Sequence, residues 1–185
     1  MTWTSFHRRG DVLRDVIAAA DQRRDGELPV DVDGVRAVFA DDLELLGALQ
    51  LKWHTRLAGR IEREQLHQPM DLRAAVVRAW QQTADELPGV RAVLDAQRTH
   101  PSDEATAEVV RKSAAKEHVL LAVMAGLASA HDARAAAVGA GIEDEAKAAW
   151  SAYATAEEPD PSDRRDDRPD DRPGLLGRLK AALAA

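Results

Sequence analysis

Cysteine is absent from the sequence, and acidic residues outnumber basic ones by 32 to 25, for a net charge of −7. The missing thiols exclude disulfide bonds, thiolate metal sites and cysteine nucleophiles. The excess of negative charge argues against nonspecific binding to nucleic acid or to anionic lipid. We therefore expect neither a redox-active thiol protein nor a nucleic-acid-binding one.

Long hydrophobic runs are also missing. The most apolar window, residues 119–130 (VLLAVMAGLASA), is shorter than the roughly 20 residues that a bilayer-spanning helix needs. No apolar run of signal-peptide length follows the basic residues of the N-terminus. We therefore expect no stable membrane insertion and a cytoplasmic location.

Aromatic and β-branched alternation, the mark of strands, is nearly lacking, whereas Ala, Leu, Glu and Arg dominate. The sequence predicts an all-α fold over residues 1–156, an up-and-down bundle of about four principal helices with an N-terminal helix packed across it. The expected helices cover residues 11–24, 33–67, 72–97 with a kink or break at 87–89, 103–138 with Gly126 and residues 129–132 as candidate interruptions, and 142–156. The expected N-caps are Asp31 or Asp33, Asp71 and Ser102, and the glycines of 139–141 predict a break.

The C-terminal region has a different composition. Residues 157–173 (EEPDPSDRRDDRPDDRP) contain four prolines and no hydrophobic side chain, which predicts a disordered, charged linker. Residues 174–185 (GLLGRLKAALAA) are apolar again and predict a short amphipathic helix. A hydrophobic segment that follows a flexible linker is typical of a recognition signal, and its candidate residues are Leu175, Leu176, Leu179, Leu183, Ala184 and Ala185.

Glu64 and His67 form a Glu-x-x-His pair, which carboxylate-bridged di-metal bundles use to bind iron or manganese. Such a site needs six inward ligands, including a second Glu-x-x-His, and no other histidine in the sequence has a glutamate three residues before it. The pair also precedes Pro69, at a helix end and not mid-bundle. We therefore interpret Glu64 and His67 as a solvated helix end, reject the ferritin-like alternative, and expect no metal or cofactor.

The remaining candidates are His54 and the neighbours Glu117 and His118, which flank apolar stretches. If their helices pack together, a Glu–His pair could serve as a general base or line a ligand site. The alternative is a hydrogen-bonded pair that fixes helix register. Because no complete catalytic constellation is visible, we expect polar side chains scattered around the helices and, on balance, a non-enzymatic protein.

Several phrases resemble a small actinobacterial family of helical proteins: WTSFHRRGDVLRDV, LGALQLKWHTRLAGRIE, TADELPGVRAVLD and AKEHVLLAVMAG. The resemblance spans roughly residues 2–150. It implies a helical fold and carries over no functional residues.

Two further resemblances concern the tail. The terminal ALAA (182–185) is similar to the end of the tag that bacterial trans-translation adds to stalled products, which implies recognition by a Clp-type protease. GLLGRLK (174–180) resembles encapsulin cargo-loading peptides, which implies docking to a shell protein. The sequence thus favours a protein-interaction or regulatory module with a docking or turnover signal; a ligand-binding or enzymatic bundle using His54 is the alternative, and homo-oligomerisation stays open.

Overall fold

A computed structural model describes residues 3–156, which contain seven helices and no strand. The chain divides into two units, residues 1–150 and 151–185, and of the second only the last turns of α7 are described. The helices are α1 (Trp3–Arg23), α2 (Val35–Val38), α3 (Asp42–His67), α4 (Leu72–Glu86), α5 (Pro88–Thr99), α6 (Glu104–Met124) and α7 (Ala135–Ala156). The predicted all-α class is confirmed.

The core is built on α3, whose apolar residues recur every three or four positions and so share one face. Its fully buried members include Leu49, Trp53, Leu57 and Ile61. Helix α4 lies antiparallel to α3: Arg60 reaches Glu86 at 2.5 Å, whereas Glu64, one turn later in α3, reaches back to Arg78 at 3.3 Å. The short connection through Pro69 produces this hairpin, as predicted.

The long second helix begins later than predicted. Asp31 and Asp33 do not cap it; α3 starts at Asp42, and Asp41 accepts a hydrogen bond from the Glu44 amide at 2.7 Å. The Glu44 carboxylate in turn accepts from the Ala40 amide at 2.6 Å. Asp41 is therefore the cap, and Glu44 accepts from the residue before it, an arrangement similar to a capping box. These contacts separate α3 from the single turn of α2.

The predicted long helix of residues 103–138 is two helices. Asp103, and not Ser102, caps α6 by accepting from the Thr106 amide at 2.7 Å. Helix α6 ends at Met124, and Gly126 follows in the left-handed region with φ of 70°, where glycine is unstrained. Residues 125–134 are non-helical.

The predicted break at 139–141 is wrong, because α7 runs through these residues without interruption. A Cβ atom on Gly139 would lie 1.8 Å from the carbonyl oxygen of His118. The glycine therefore permits close contact between α7 and α6, and it does not end the helix. Gly89 has the same role between α5 and α1, since a Cβ there would lie 2.2 Å from the Ala20 oxygen.

The predicted linker (157–173) and amphipathic segment (174–185), with all the candidate recognition residues of the tail, lie outside the described residues. Within residues 3–156, none of the helices combines the length and the apolarity that crossing a bilayer requires.

Candidate functional site

Buried and half-buried charged side chains from α5, α6 and α7 meet next to α3. We call them the charge cluster: Arg91, Asp95, Arg98, Glu117, Glu143 and Lys147. Spacings of four and seven residues put Arg91, Asp95 and Arg98 on one face of α5. The same rule puts Glu143 and Lys147 on one face of α7. The cluster therefore follows from two helix stripes that point at the same interior position.

Glu117 of α6 is the most enclosed acid of the cluster, with a side chain that is 0% exposed. Its Oε1 accepts from the Trp53 indole at 3.0 Å, while its Oε2 lies 3.1 Å from Nε2 of His54 and 2.9 Å from Nη2 of Arg98. Burial alone raises the pKa of Glu117. The hydrogen bond to His54 and the charges of Arg91 and Arg98 outweigh that effect and hold the pKa below its ordinary value.

Glu143 of α7 has a parallel set of partners. Its Oε1 accepts from Arg98 at 2.6 Å and lies 3.1 Å from the Lys147 amine, and its Oε2 lies 2.6 Å from Nε2 of His118. Burial raises the pKa of Glu143, but the hydrogen bond to His118 and the charges of Arg98, Arg91 and Lys147 lower it well below the ordinary value. Both glutamates are therefore ionised at neutral pH.

Arg91 joins the two halves of the cluster and is 1% exposed. Its Nε and Nη2 donate to Asp95 at 3.0 and 2.9 Å, and its guanidinium carbon lies 4.7 Å from the Trp53 ring centroid. Its buried Nη1 lies 3.6 Å from Glu117 and 3.9 Å from Glu143 and has no hydrogen-bond partner. One cation thus stands between two carboxylates that would otherwise repel each other.

The expectation of scattered polar side chains is therefore wrong. The candidates His54 and Glu117 do meet, but His118 faces Glu143, so the three candidates divide into two Glu–His pairs joined by Arg98. With neutral histidines the cluster holds as many carboxylates as cations, so its charges balance. The arrangement links four helices and so has the structural role of setting their register, while each histidine remains at the edge of the cluster.

The edge at His54 opens into a cleft of about 370 Å³ between α3 and α6, which we call the His54 cleft. The His54 side chain is 25% exposed there. The residues that line the cleft are His54, Thr55, Ala58, Lys116, Glu117 and Leu120. A Glu–His pair at the wall of an open cleft has the geometry of a positioned base or anion ligand.

A second surface feature is the α1–α3 groove, a mostly apolar depression of about 630 Å³ between those helices. Its lining residues are Arg9, Gly10, Leu13, Glu44, Gly47, Ala48, Leu51, Lys52 and Thr55. Leu51 is 67% exposed. Among the described residues, no atom beyond the helix's own neighbouring backbone lies within 4 Å of the position that a Cβ on Gly10 or Gly47 would take. The groove is thus an unfilled seam with an exposed apolar side chain.

Glu64 and His67 do not form a site together. Glu64 is 14% exposed and contacts Arg78 at 3.3 Å and Gln82 at 3.2 Å across the α3–α4 seam, whereas His67 is exposed at the end of α3. The interpretation of the pair as a solvated helix end therefore fits His67 and is wrong for Glu64. In the described part of the chain, no three His, Asp or Glu side chains are arranged to hold a metal ion.

Arg91, Arg98 and Glu143 were not among the residues that the sequence predicted for a site. Their signals were present in the sequence as the seven-residue spacing of the two arginines and the Glu143–Lys147 spacing of four, but such spacings are also typical of solvated helix faces. Comparison with known proteins gave no match to a family model, to a curated protein or to a solved structure. A functional proposal therefore rests on the geometry of the described residues and on the sequence of the tail.

Proposed function

We propose that this protein is a cytoplasmic, non-enzymatic interaction module whose α1–α3 groove receives an amphipathic helix from a partner protein. The observation that carries the proposal is the unfilled apolar groove with the exposed side chain of Leu51. Contiguous exposed apolar surface is uncommon on monomeric proteins and is typical of interaction sites. The charge cluster, by contrast, is occupied by its own internal contacts and needs no partner.

The dimensions of the groove suit a helix. On α3 it extends from Glu44 to Thr55, which is about 16 Å at a rise of about 1.5 Å per residue. That length matches about three turns of a docked helix with anchors at positions i, i+3, i+4 and i+7. Gly10 and Gly47 offer no side chain in the way, so the apolar face of the incoming helix can come close to both backbones.

The charges at the rim favour an acidic partner. Arg9 already binds Glu44 at 2.7 Å and the Val38 carbonyl at 2.9 Å. Among the described residues no carboxylate pairs with Lys52, which is exposed at the groove. We infer that the partner helix carries a glutamate or aspartate beside its apolar face, opposite Lys52.

The test uses a fluorescent 12-residue peptide with leucines on one helical face and glutamates beside them. We expect it to bind the full chain, and we expect Leu51→Glu and Lys52→Glu to weaken binding at least tenfold. Leu66→Glu is the matched control, because Leu66 is 83% exposed on the same helix outside the groove. Equal binding of a scrambled peptide, or equal effects of the two leucine variants, would refute the assignment.

We propose separately, from sequence alone, that residues 174–185 act as a docking or turnover signal read by a shell protein or a Clp-type protease. Deleting 157–185 should leave the bundle folded while changing shell-protein capture or cellular half-life. Replacing Ala184 and Ala185 with aspartate should lengthen the half-life if a protease reads the terminus, whereas Leu176→Glu should abolish shell capture. A truncated chain that matches the full chain in both measurements would disprove this proposal.

A further inference from the structure

The His54 cleft combines cationic and polar groups on one side with apolar ones on the other. Helix α3 contributes Thr55 and Ala58 to its lining, and α6 contributes Lys116 and Leu120. Lys116 is exposed, and no carboxylate among the described residues pairs with it. Its amine is therefore available to a ligand.

The charge of Glu117 at the base of the cleft does not make the cleft acidic. The carboxylate is shielded by Arg98 at 2.9 Å and by Arg91 at 3.6 Å, and its Oε1 accepts from the Trp53 indole. With Glu117 compensated from behind, Lys116 determines the charge that a ligand meets. The cleft therefore favours an anion.

His54 gains a defined orientation from the same contact. Because Glu117 is ionised, the Nε2 atom that lies 3.1 Å from its Oε2 carries a hydrogen and donates. That leaves Nδ1 as the second functional nitrogen of the ring.

We propose that the His54 cleft binds a short-chain monocarboxylate beside the His54 ring, with its carboxylate held by Lys116 and Thr55 and its alkyl end against Ala58 and Leu120. The volume of about 370 Å³ lies at the small end of the range that ligand sites occupy, about 300–1,000 Å³. The apolar pair distinguishes such a ligand from inorganic phosphate, which has no alkyl group to bury. Thr55 also lines the α1–α3 groove, but the partner-helix proposal is tested at Leu51 and Lys52, which do not line this cleft.

The experiment titrates the full-length protein with butyrate and follows the histidine ring signals by NMR. Butyramide is the neutral isostere, and inorganic phosphate is the anion without an alkyl chain. We expect a saturable shift of the His54 ring with butyrate, weaker binding of phosphate and none of butyramide. We expect no shift at His100 and His131, which do not line the cleft.

Matched lysine variants locate the site. Lys116→Met should weaken butyrate binding at least tenfold, whereas Lys112→Met, one turn earlier on α6 and paired with Glu108 at 2.9 Å, should not change it. Equal responses to butyrate and butyramide, tighter binding of phosphate, or identical behaviour of the two lysine variants would overturn the proposal. Butyrate binding and peptide binding are measured separately, so failure of the groove proposal does not affect this test.

Discussion

Gly139 of α7 lies directly against the backbone of His118 in α6, and a Cβ atom at position 139 would be 1.8 Å from the His118 carbonyl oxygen. Glu143 follows Gly139 by one helical turn and is the residue that contacts the His118 ring at 2.6 Å. The absent side chain thus brings α7 close enough for its glutamate to join the charge cluster. A glycine that touches no charged side chain helps to assemble the buried network.

The first prediction concerns this glycine. Gly139→Ala should destabilise the fold by about 3 kcal/mol or more, because the obstacle is backbone that has no rotamer to adopt. Gly141→Ala, two residues later in the same helix, should be neutral or stabilise by up to about 1 kcal/mol, since nothing lies within 4 Å of its Cβ position. Urea unfolding of both variants measures the difference, and similar stabilities would contradict the close helix contact.

The second prediction concerns the start of α6. Asp103→Ala should lower the midpoint of thermal unfolding by about 2–4 °C, because the amide of Thr106 loses its capping acceptor. Ser102 donates only to the Thr106 hydroxyl, at 3.1 Å, so Ser102→Ala should have a smaller effect. A larger loss for the serine variant in the same thermal scan would mean that Ser102 is the cap, as the sequence had predicted.

The residue pattern predicted the fold class, because burial of one helix face leaves a repeat of three or four residues that local sequence records. Helix ends were predicted less well where local propensity competed with tertiary contact. The glycines of 139–141 are poor helix formers, yet α7 continues through them because Gly139 is buried against α6. Sequence alone contains no record of that neighbouring backbone.

The charge cluster, too, could be predicted only in part from the sequence. His54, Glu117 and His118 could be selected because they interrupt apolar stretches, but Arg91 and Glu143 look like ordinary residues of a solvated helix face. What makes them interior is the way α5 and α7 pack on α6, and helix crossing depends on all the contacting side chains together. Pairings such as His118 with Glu143 therefore needed the structure.

The third prediction is a pH dependence. Glu117 and Glu143 have folded-state pKa values below the ordinary 4.5, so their ionised forms stabilise the fold above that pH. This contribution disappears as the pH falls below about 4.5 toward the folded values, where the acids become protonated. The free energy of unfolding should therefore decrease steeply on acidification.

The matching variant is Glu117→Gln, which removes one buried charge. It should lower the free energy of unfolding by about 3–5 kcal/mol at pH 7. Its stability should also change less between pH 7 and pH 3 than that of the wild type. Glu145→Gln is the control, because Glu145 pairs with Arg73 at the surface and is 46% exposed. If both variants keep the acid dependence of the wild type in urea unfolding, the ionised state of Glu117 does not stabilise the fold.

The fourth prediction concerns Arg91, whose Nη1 lies between the two glutamates. Arg91→Met should cost about 3 kcal/mol or more at pH 7, because the carboxylates lose a shared cation and repel each other. That repulsion raises their pKa values. The carboxylates of the variant therefore become protonated, and stop repelling each other, at a higher pH than those of the wild type. The stability gap between the two proteins should therefore narrow as the pH falls below about 4.5, the ordinary value of a glutamate.

Arg111→Met serves as the control for Arg91→Met, since Arg111 is 64% exposed and pairs only with its helix neighbour Glu108; it should leave stability and acid dependence unchanged. Urea unfolding at several pH values measures the free energy of unfolding of the wild type, Arg91→Met and Arg111→Met. If the difference in free energy of unfolding between wild type and Arg91→Met stays constant with pH, Arg91 stabilises the fold only by packing on Trp53, whose ring centroid lies 4.7 Å from its guanidinium carbon. A stability difference that disappears as the pH falls would show that the arginine acts through the charges of Glu117 and Glu143.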